Sequence, residues 1–183
     1  NKWLYYSYFG PSYYSFDYGG FHCIVLDPNQ FDGNHEYFEI PEKQMAWLKK
    51  DLSFYPENKP LLVFFHEPIN SWKNKEEVIA LFRNRKTRLF SGHWHFDVVL
   101  EHGNGNILEQ VTGALCGEWY LGGCTCGYRE GYRIVQIDGD EIATFYREIG
   151  QDHQIEFLEP NVITTHPFAV TANIYTEYNP LIS

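Results

Sequence analysis

Arg88-Leu-Phe-Ser-Gly-His-Trp-His95, taken with Leu61-Leu-Val-Phe-Phe-His66 upstream, decides how the rest of the chain is read. In both stretches a short apolar run stops abruptly at histidine. Leu61 to Phe65 is continuous and of strand length, which predicts a strand covered on both faces. Leu89-Phe90 runs into Ser91-Gly92, where glycine permits a sharp turn or a close approach to a ligand. His66, His93 and His95 are therefore expected at strand ends, on the rim where α/β sheets commonly build their sites. Neutral imidazole is a frequent ligand for zinc, iron and manganese, so three histidines on one rim make a candidate metal centre. A lone histidine ending an apolar run is more often hydrogen-bonded structure. A closely spaced pair joined by a third from another strand is harder to assign to chance.

Working outward, the segments around these strands alternate in an α/β rhythm. Asn1 to Gly20 is tyrosine-rich and reads as irregular up to a short strand over Ser12 to Phe16. Phe21 to Leu26 reads as a strand, with His22 on it as structure. Pro28 to His35 is dense in turn formers and reads as a surface loop. Pro41 to Leu52 predicts an amphipathic helix whose buried face carries Met45, Leu48 and Leu52. Asn74 to Phe82 predicts a second helix with a stripe of Val78, Leu81 and Phe82 and acids near its positive end. After His95 the pattern turns all-β. Val98 to Leu100 and Ile107 to Val111 flank a loop holding His102, which reads as solvated. Tyr132 to Ile137 and Glu141 to Tyr146 flank Asp138-Gly139, a strong hairpin signal.

Composition bounds the rest. The chain has 183 residues, 44% of them apolar, and so supports one cored domain or one domain with an appendage. Fourteen Tyr, fourteen Phe and five Trp suit β-rich architecture. A formal charge of −10 argues against nucleic acid as a bulk partner, because phosphate backbones are held by Lys and Arg surfaces. No apolar run is long enough for a membrane span. No signal peptide is visible, which leaves the question of export open. Cys23 reads as a small buried hydrophobe. Cys116, Cys124 and Cys126 crowd a glycine-rich loop whose spacing matches no common zinc module, and a disulfide from Cys116 to Cys124 or Cys126 stands beside free thiols as an alternative.

Several of these residues carry a family resemblance. Phe9-Gly-Pro-Ser-Tyr-Tyr-Ser-Phe16 leads into Val25-Leu26-Asp27, followed by Gln44-Met-Ala-Trp-Leu48, Phe65-His66-Glu67-Pro68 and Gly92-His93-Trp94-His95. In this order the chain resembles the C-terminal half of a calcineurin-like metallophosphoesterase, the superfamily that includes purple acid phosphatases and many bacterial phosphodiesterases. The resemblance implies an α/β (α+β) fold, half of a β-sandwich flanked by helices. Residues 1–150 would belong to the phosphoesterase domain and 151–183 would begin a β-rich C-terminal extension. It also implies that the hairpins after His95 complete the second sheet.

For chemistry, the resemblance implies a phosphoester hydrolase with two zinc, manganese or iron ions and a metal-bound hydroxide as nucleophile. His66 and His93 would hold one ion and His95 the other. Trp119, Tyr120 and Arg129 would line the substrate wall, although packing is the commoner task for such residues. The family's aspartate-x-histidine, glycine-aspartate and glycine-asparagine-histidine motifs precede the tyrosine-rich segment, and only eight residues precede Phe9 here. The chain is therefore expected to supply the histidine half of a site, with no catalytic residue of its own identified. Gly33-Asn34-His35 spells the third motif in the wrong place. Two rival readings remain: an inactive β-rich binding module that pairs with another chain through an open sheet edge, and an aromatic surface for a ligand such as carbohydrate.

Overall fold

The computed structural model describes residues 2–116, 130–139, 141–150, 155–159 and 171–174. In chain order the elements are helix α1 (Lys2–Phe9), strands β1 (Tyr14–Tyr18), β2 (Phe21–Val25), β3 (Asn29–Asp32) and β4 (His35–Phe38), and helix α2 (Glu42–Leu52). Strand β5 (Leu61–Phe64), helix α3 (Lys75–Phe82) and strands β6 (Thr87–Ser91), β7 (Val98–His102) and β8 (Ile107–Val111) follow. The later strands are β9 (Gly131–Asp138), β10 (Glu141–Glu148), β11 (Ile155–Glu159) and β12 (Thr171–Ile174). Mixed α/β architecture is thus borne out. Asn1–Trp94 with Val98–Val111 form one compact unit, and His95–Asp97 with the chain from Thr112 onward form the other.

In the first unit six strands run in the order β1-β2-β5-β6-β8-β7. The pairs β2–β5, β5–β6 and β6–β8 are parallel, and antiparallel β1 and β7 close the two edges. Parallel neighbours need crossovers, and α2 and α3 supply two of them. The predicted helices form because their apolar positions recur at helical spacing: Met45, Leu48 and Leu52 on α2, and Val78, Ile79 and Phe82 on α3. Ile79 takes the place expected of Leu81, which stays half-buried. Both stripes join Ile24, Leu61, Val63, Leu89 and Ile107 in one core. The continuous apolar reading of β5 holds, since Leu61, Leu62 and Val63 are each at most 2% exposed.

Four expectations change. The irregular N-terminal segment contains α1, whose aromatic residues are spread around it with none buried, so periodicity could not reveal it. Its lysine anchors it: Lys2 Nζ lies 2.7 Å from Asp27 Oδ2. The predicted loop at 28–35 is instead the start of the β3–β4 hairpin, in which Gly33 takes φ +63° at the turn. Neither strand buries a residue fully, so apolar alternation did not mark them. The β7–β8 hairpin joins the same six-stranded sheet rather than a second one. His102 closes β7 and is buried, held by a carboxylate described below. Aromatic residues divide as well: Phe21 and Phe82 are core, whereas Trp3, Tyr8 and Phe9 on α1 are well exposed.

In the second unit β9 and β10 pair in register from Asp138↔Glu141 to Gly131↔Glu148, as the hairpin signal predicted. Arg133 binds Asp97 and donates from Nη1 to Thr144 Oγ1 at 3.0 Å. Tyr146 is buried against two glycines. A Cβ at Gly113 would meet its hydroxyl at 2.7 Å, and one at Gly131 would meet both its ring and the Arg147 carbonyl at 2.5 Å. Burial pushes the Tyr146 phenol up to about 12, with nearby Asp97 adding to the effect. An unfolded tyrosine ionises near 10, so the folded state gains from neutral Tyr146 below that pH and loses the gain between about 10 and about 12. Denaturant unfolding compared at about pH 9 and about pH 11 is expected to show an alkaline loss of stability that Tyr146→Phe reduces.

Candidate metal centre

Parallel pairing of β5 with β6 places the first two histidines side by side. The register runs Leu61↔Thr87 to Phe64↔Phe90. The ladder continues past both strand ends, with Phe65 N–H donating to Phe90 O at 3.1 Å and Gly92 N–H donating to His66 O at 2.9 Å. His66 and the Gly92 loop are therefore neighbours, as the two apolar runs predicted. His66 Nε2 and His93 Nδ1 lie 3.2 Å apart, with the ring planes at 86°. Two nitrogen donors at about 2.1 Å from one ion, at ordinary coordination angles, sit about 3.0–3.4 Å apart. The pair thus fits one edge of a metal ion's coordination shell.

The backbone of this loop departs from the glycine-centred expectation. Gly92 has an ordinary φ, and an added Cβ there would meet nothing closer than 3.9 Å. The left-handed conformations belong to His93, at φ 63°, and His95, at φ 60°. Trp94 N–H donates to Gly92 O at 2.7 Å, closing a tight three-residue turn around His93. A non-glycine residue in this region costs about 1–2 kcal/mol, and such strain gathers at functional sites. The sequence placed that freedom one residue too early.

His95 begins the second unit, where Cys116 Sγ lies 4.0 Å from its Nδ1. Trp119, Tyr120, Arg129, Cys124 and Cys126 lie outside the described residues. Cys23 is buried and free, as expected. Asn34 and His35 are exposed in the β3–β4 hairpin, where His35 pairs with Asp32 across the strands. Among the described residues no group of three or more His, Cys, Asp or Glu is gathered closely enough to hold a metal ion.

Two acids next to the histidines were not singled out from sequence. Glu67 follows His66, is 3% exposed, and places Oε2 3.1 Å from His93 Nε2. Glu109 on β8 is fully buried and ties together the segments behind both histidines. Its Oε1 accepts from Ser91 Oγ at 2.6 Å and from Ile69 N–H at 3.2 Å, and its Oε2 lies 2.7 Å from His102 Nε2. The signal for it was present: Ile107, Glu109 and Val111 alternate on one face of β8, so an acid occupies an apolar row. His22 shows the same device elsewhere, lying 2.7 Å from Asp51 and 3.2 Å from Asp17 in a fully buried position. Beside His66 lies a cavity of about 330 Å³, lined also by Lys2, Tyr5, Ser12 and Asp27.

Two stability measurements check this description. Glu109→Ala leaves three buried donors without their acceptor and is expected to cost about 3–5 kcal/mol in urea unfolding; a loss below about 1 kcal/mol would mean the network carries no weight. His93→Gly is expected to be more stable than His93→Ala by about 1 kcal/mol in the same assay, because only glycine relieves the positive φ.

A family model described as the C terminal of calcineurin-like phosphoesterase matches residues 109–179. No curated protein matches the chain. The matched stretch starts on β8, so His66, His93 and His95 precede it. Residues 109–179 are similar to the C-terminal region of calcineurin-like phosphoesterases, and the resemblance read from the sequence is borne out in that C-terminal part.

Proposed function

We propose that this chain supplies the histidine half of the metal site of a phosphoester hydrolase. The observation that carries the proposal is the His66–His93 pair: two imidazole nitrogens 3.2 Å apart at the ends of adjacent parallel strands, one of them on a strained turn. The family relationship of residues 109–179 to phosphoesterases supplies the reaction class.

In this proposal His66 and His93 hold one ion through Nε2 and Nδ1, and His95 belongs to a second. Zinc, manganese or iron would suit imidazole donors completed by carboxylates. Bound ions would neutralise phosphate charge and lower the pKa of water, which explains why no nucleophilic side chain is needed. The protein's own part is to hold the donors rigid. Ladder bonds fix His66, the turn fixes His93, and Glu109 fixes the backbone behind both. Trp119, Tyr120 and Arg129 are proposed for the substrate wall, with a phosphomonoester or phosphodiester as substrate. Nucleic acid as a bulk partner remains disfavoured by the charge of −10. No helix among the described residues is long and apolar enough to cross a membrane.

The alternative, a non-catalytic β-rich module, draws on edge strand β1. It exposes Tyr14, Phe16 and Tyr18 and offers a row for pairing with another chain. Calorimetric titration with zinc or manganese separates the two. Binding is expected, and either His66→Ala or His93→Ala should weaken it by at least about tenfold, roughly 1.4 kcal/mol. A flat titration would overturn the metal proposal. Hydrolysis of a generic aryl phosphate and a diester by this chain alone is expected to be slight; robust turnover lost in His93→Ala would overturn the half-site assignment and retire the binding module.

A further inference from the structure

We infer that Glu67 is a positioning residue for His93: its carboxylate accepts the proton on His93 Nε2 and so leaves His93 Nδ1 as the lone-pair donor facing His66. The inference rests on the metal-binding proposal and deepens it, because it selects which nitrogen of His93 is available to an ion.

Three observations converge on this acid. Its side chain is 4% exposed, and a carboxylate at that depth is costly unless something pairs with it. Its Oε2 is buried and without a hydrogen bond, and His93 Nε2 stands 3.1 Å from it. The backbone that carries the acid is also held in place. Its own carbonyl accepts from Trp72 Nε1 at 2.8 Å, Trp72 is buried edge-on against Phe65, and Pro68 stiffens the next residue.

The tautomer follows from proton accounting. A neutral imidazole has one N–H, and its position is set by the better acceptor. A carboxylate accepts more strongly than a neighbouring imidazole, so the His93 proton goes to Nε2 on the Glu67 side. The 3.2 Å contact on the other edge then has His66 Nε2–H donating to His93 Nδ1. When His66 changes tautomer, giving up the Nε2 proton to water and taking one up at Nδ1, it stays neutral and both His66 Nε2 and His93 Nδ1 offer lone pairs to the same ion. Carboxylate, histidine and ion in series is a general way of orienting a ligand and raising its basicity. Glu67 reaches His93 from the edge opposite His66, so it serves as the support of a ligand and not as a third donor.

The test uses the whole 183-residue chain with Glu67→Gln, His93→Ala and the double variant. Ring nitrogen NMR on the metal-free protein at about pH 8, where ordinary imidazole is neutral, should show His93 as the Nε2–H tautomer. Glu67→Gln should shift it toward a mixture. An Nδ1–H form in the parent, or no change in Glu67→Gln, would overturn the inference, and this readout does not depend on metal uptake. With zinc alone as the probe, Glu67→Gln should bind about 10–100-fold more weakly than the parent. The same substitution made on His93→Ala should add nothing, whereas a merely structural acid would weaken that variant further. A parent that takes up no zinc defeats the metal proposal and leaves the tautomer result to judge Glu67. A parent that binds zinc, with Glu67→Gln its equal, defeats Glu67 alone.

Discussion

The parallel register between β5 and β6 is the constraint on which the first unit turns. Once Leu61 pairs with Thr87 and Phe64 with Phe90, the next ladder bonds carry the order beyond the strands, to the Gly92 amide on the His66 carbonyl. A slip of one residue would exchange the faces of every side chain on a strand. On β5 it would exchange Leu61 and Val63 with Leu62 and Phe64, and it would separate the two imidazoles at the same time. Stability of the sheet and closeness of His66 to His93 are therefore one and the same condition. The stacked pair Phe64 and Phe90, 5.4 Å between ring centroids, reinforces that register on the other face.

Above that scaffold the polar groups follow a single pattern, in which a buried or half-buried acid is placed behind a histidine or a loop end. Glu109 sits behind His102, Ser91 and the turn at Ile69; Glu67 sits behind His93; Asp51 sits behind His22. Burying such an acid is expensive: at Glu109 three donors converge to offset the cost, whereas the buried Glu67 Oε2 is faced by His93 Nε2 at 3.1 Å. Their common effect is stiffness close to the strand ends. The left-handed turn at His93 can persist only because its surroundings determine it from several sides, through the bonds to Gly92 and the rings of His66 and Phe38.

Much of this was legible in the residues, for definite reasons. Strands such as Leu61–Phe64, buried on both faces, announce themselves as unbroken apolar runs. The helix over Glu42–Leu52 and the β9–β10 hairpin announce themselves through spacing and turn chemistry. The proximity of His66 to the Gly92 loop followed from strand ends alone. What stayed hidden lacked contrast. α1 is aromatic on every side, and β3 and β4 bury no residue fully, so neither helical nor alternating periodicity could emerge. The roles of Glu67, Glu109 and His102 depend on which partner faces them across the sheet, and local sequence does not encode that. The seat of strain was misjudged because glycine is the usual bearer of positive φ, whereas here histidine carries it.

The close fit around Tyr146 has a consequence for how the second unit can vary. Position 131 is closed to any larger residue by backbone as well as by the ring, so its glycine is fixed independently of its neighbours. At position 113 the three nearest atoms to an added Cβ all belong to the tyrosine. Residues 113 and 146 therefore form a coupled pair: an alanine at the first becomes admissible only after the second has lost its bulk. Drift there must proceed in a set order, aromatic first and glycine second.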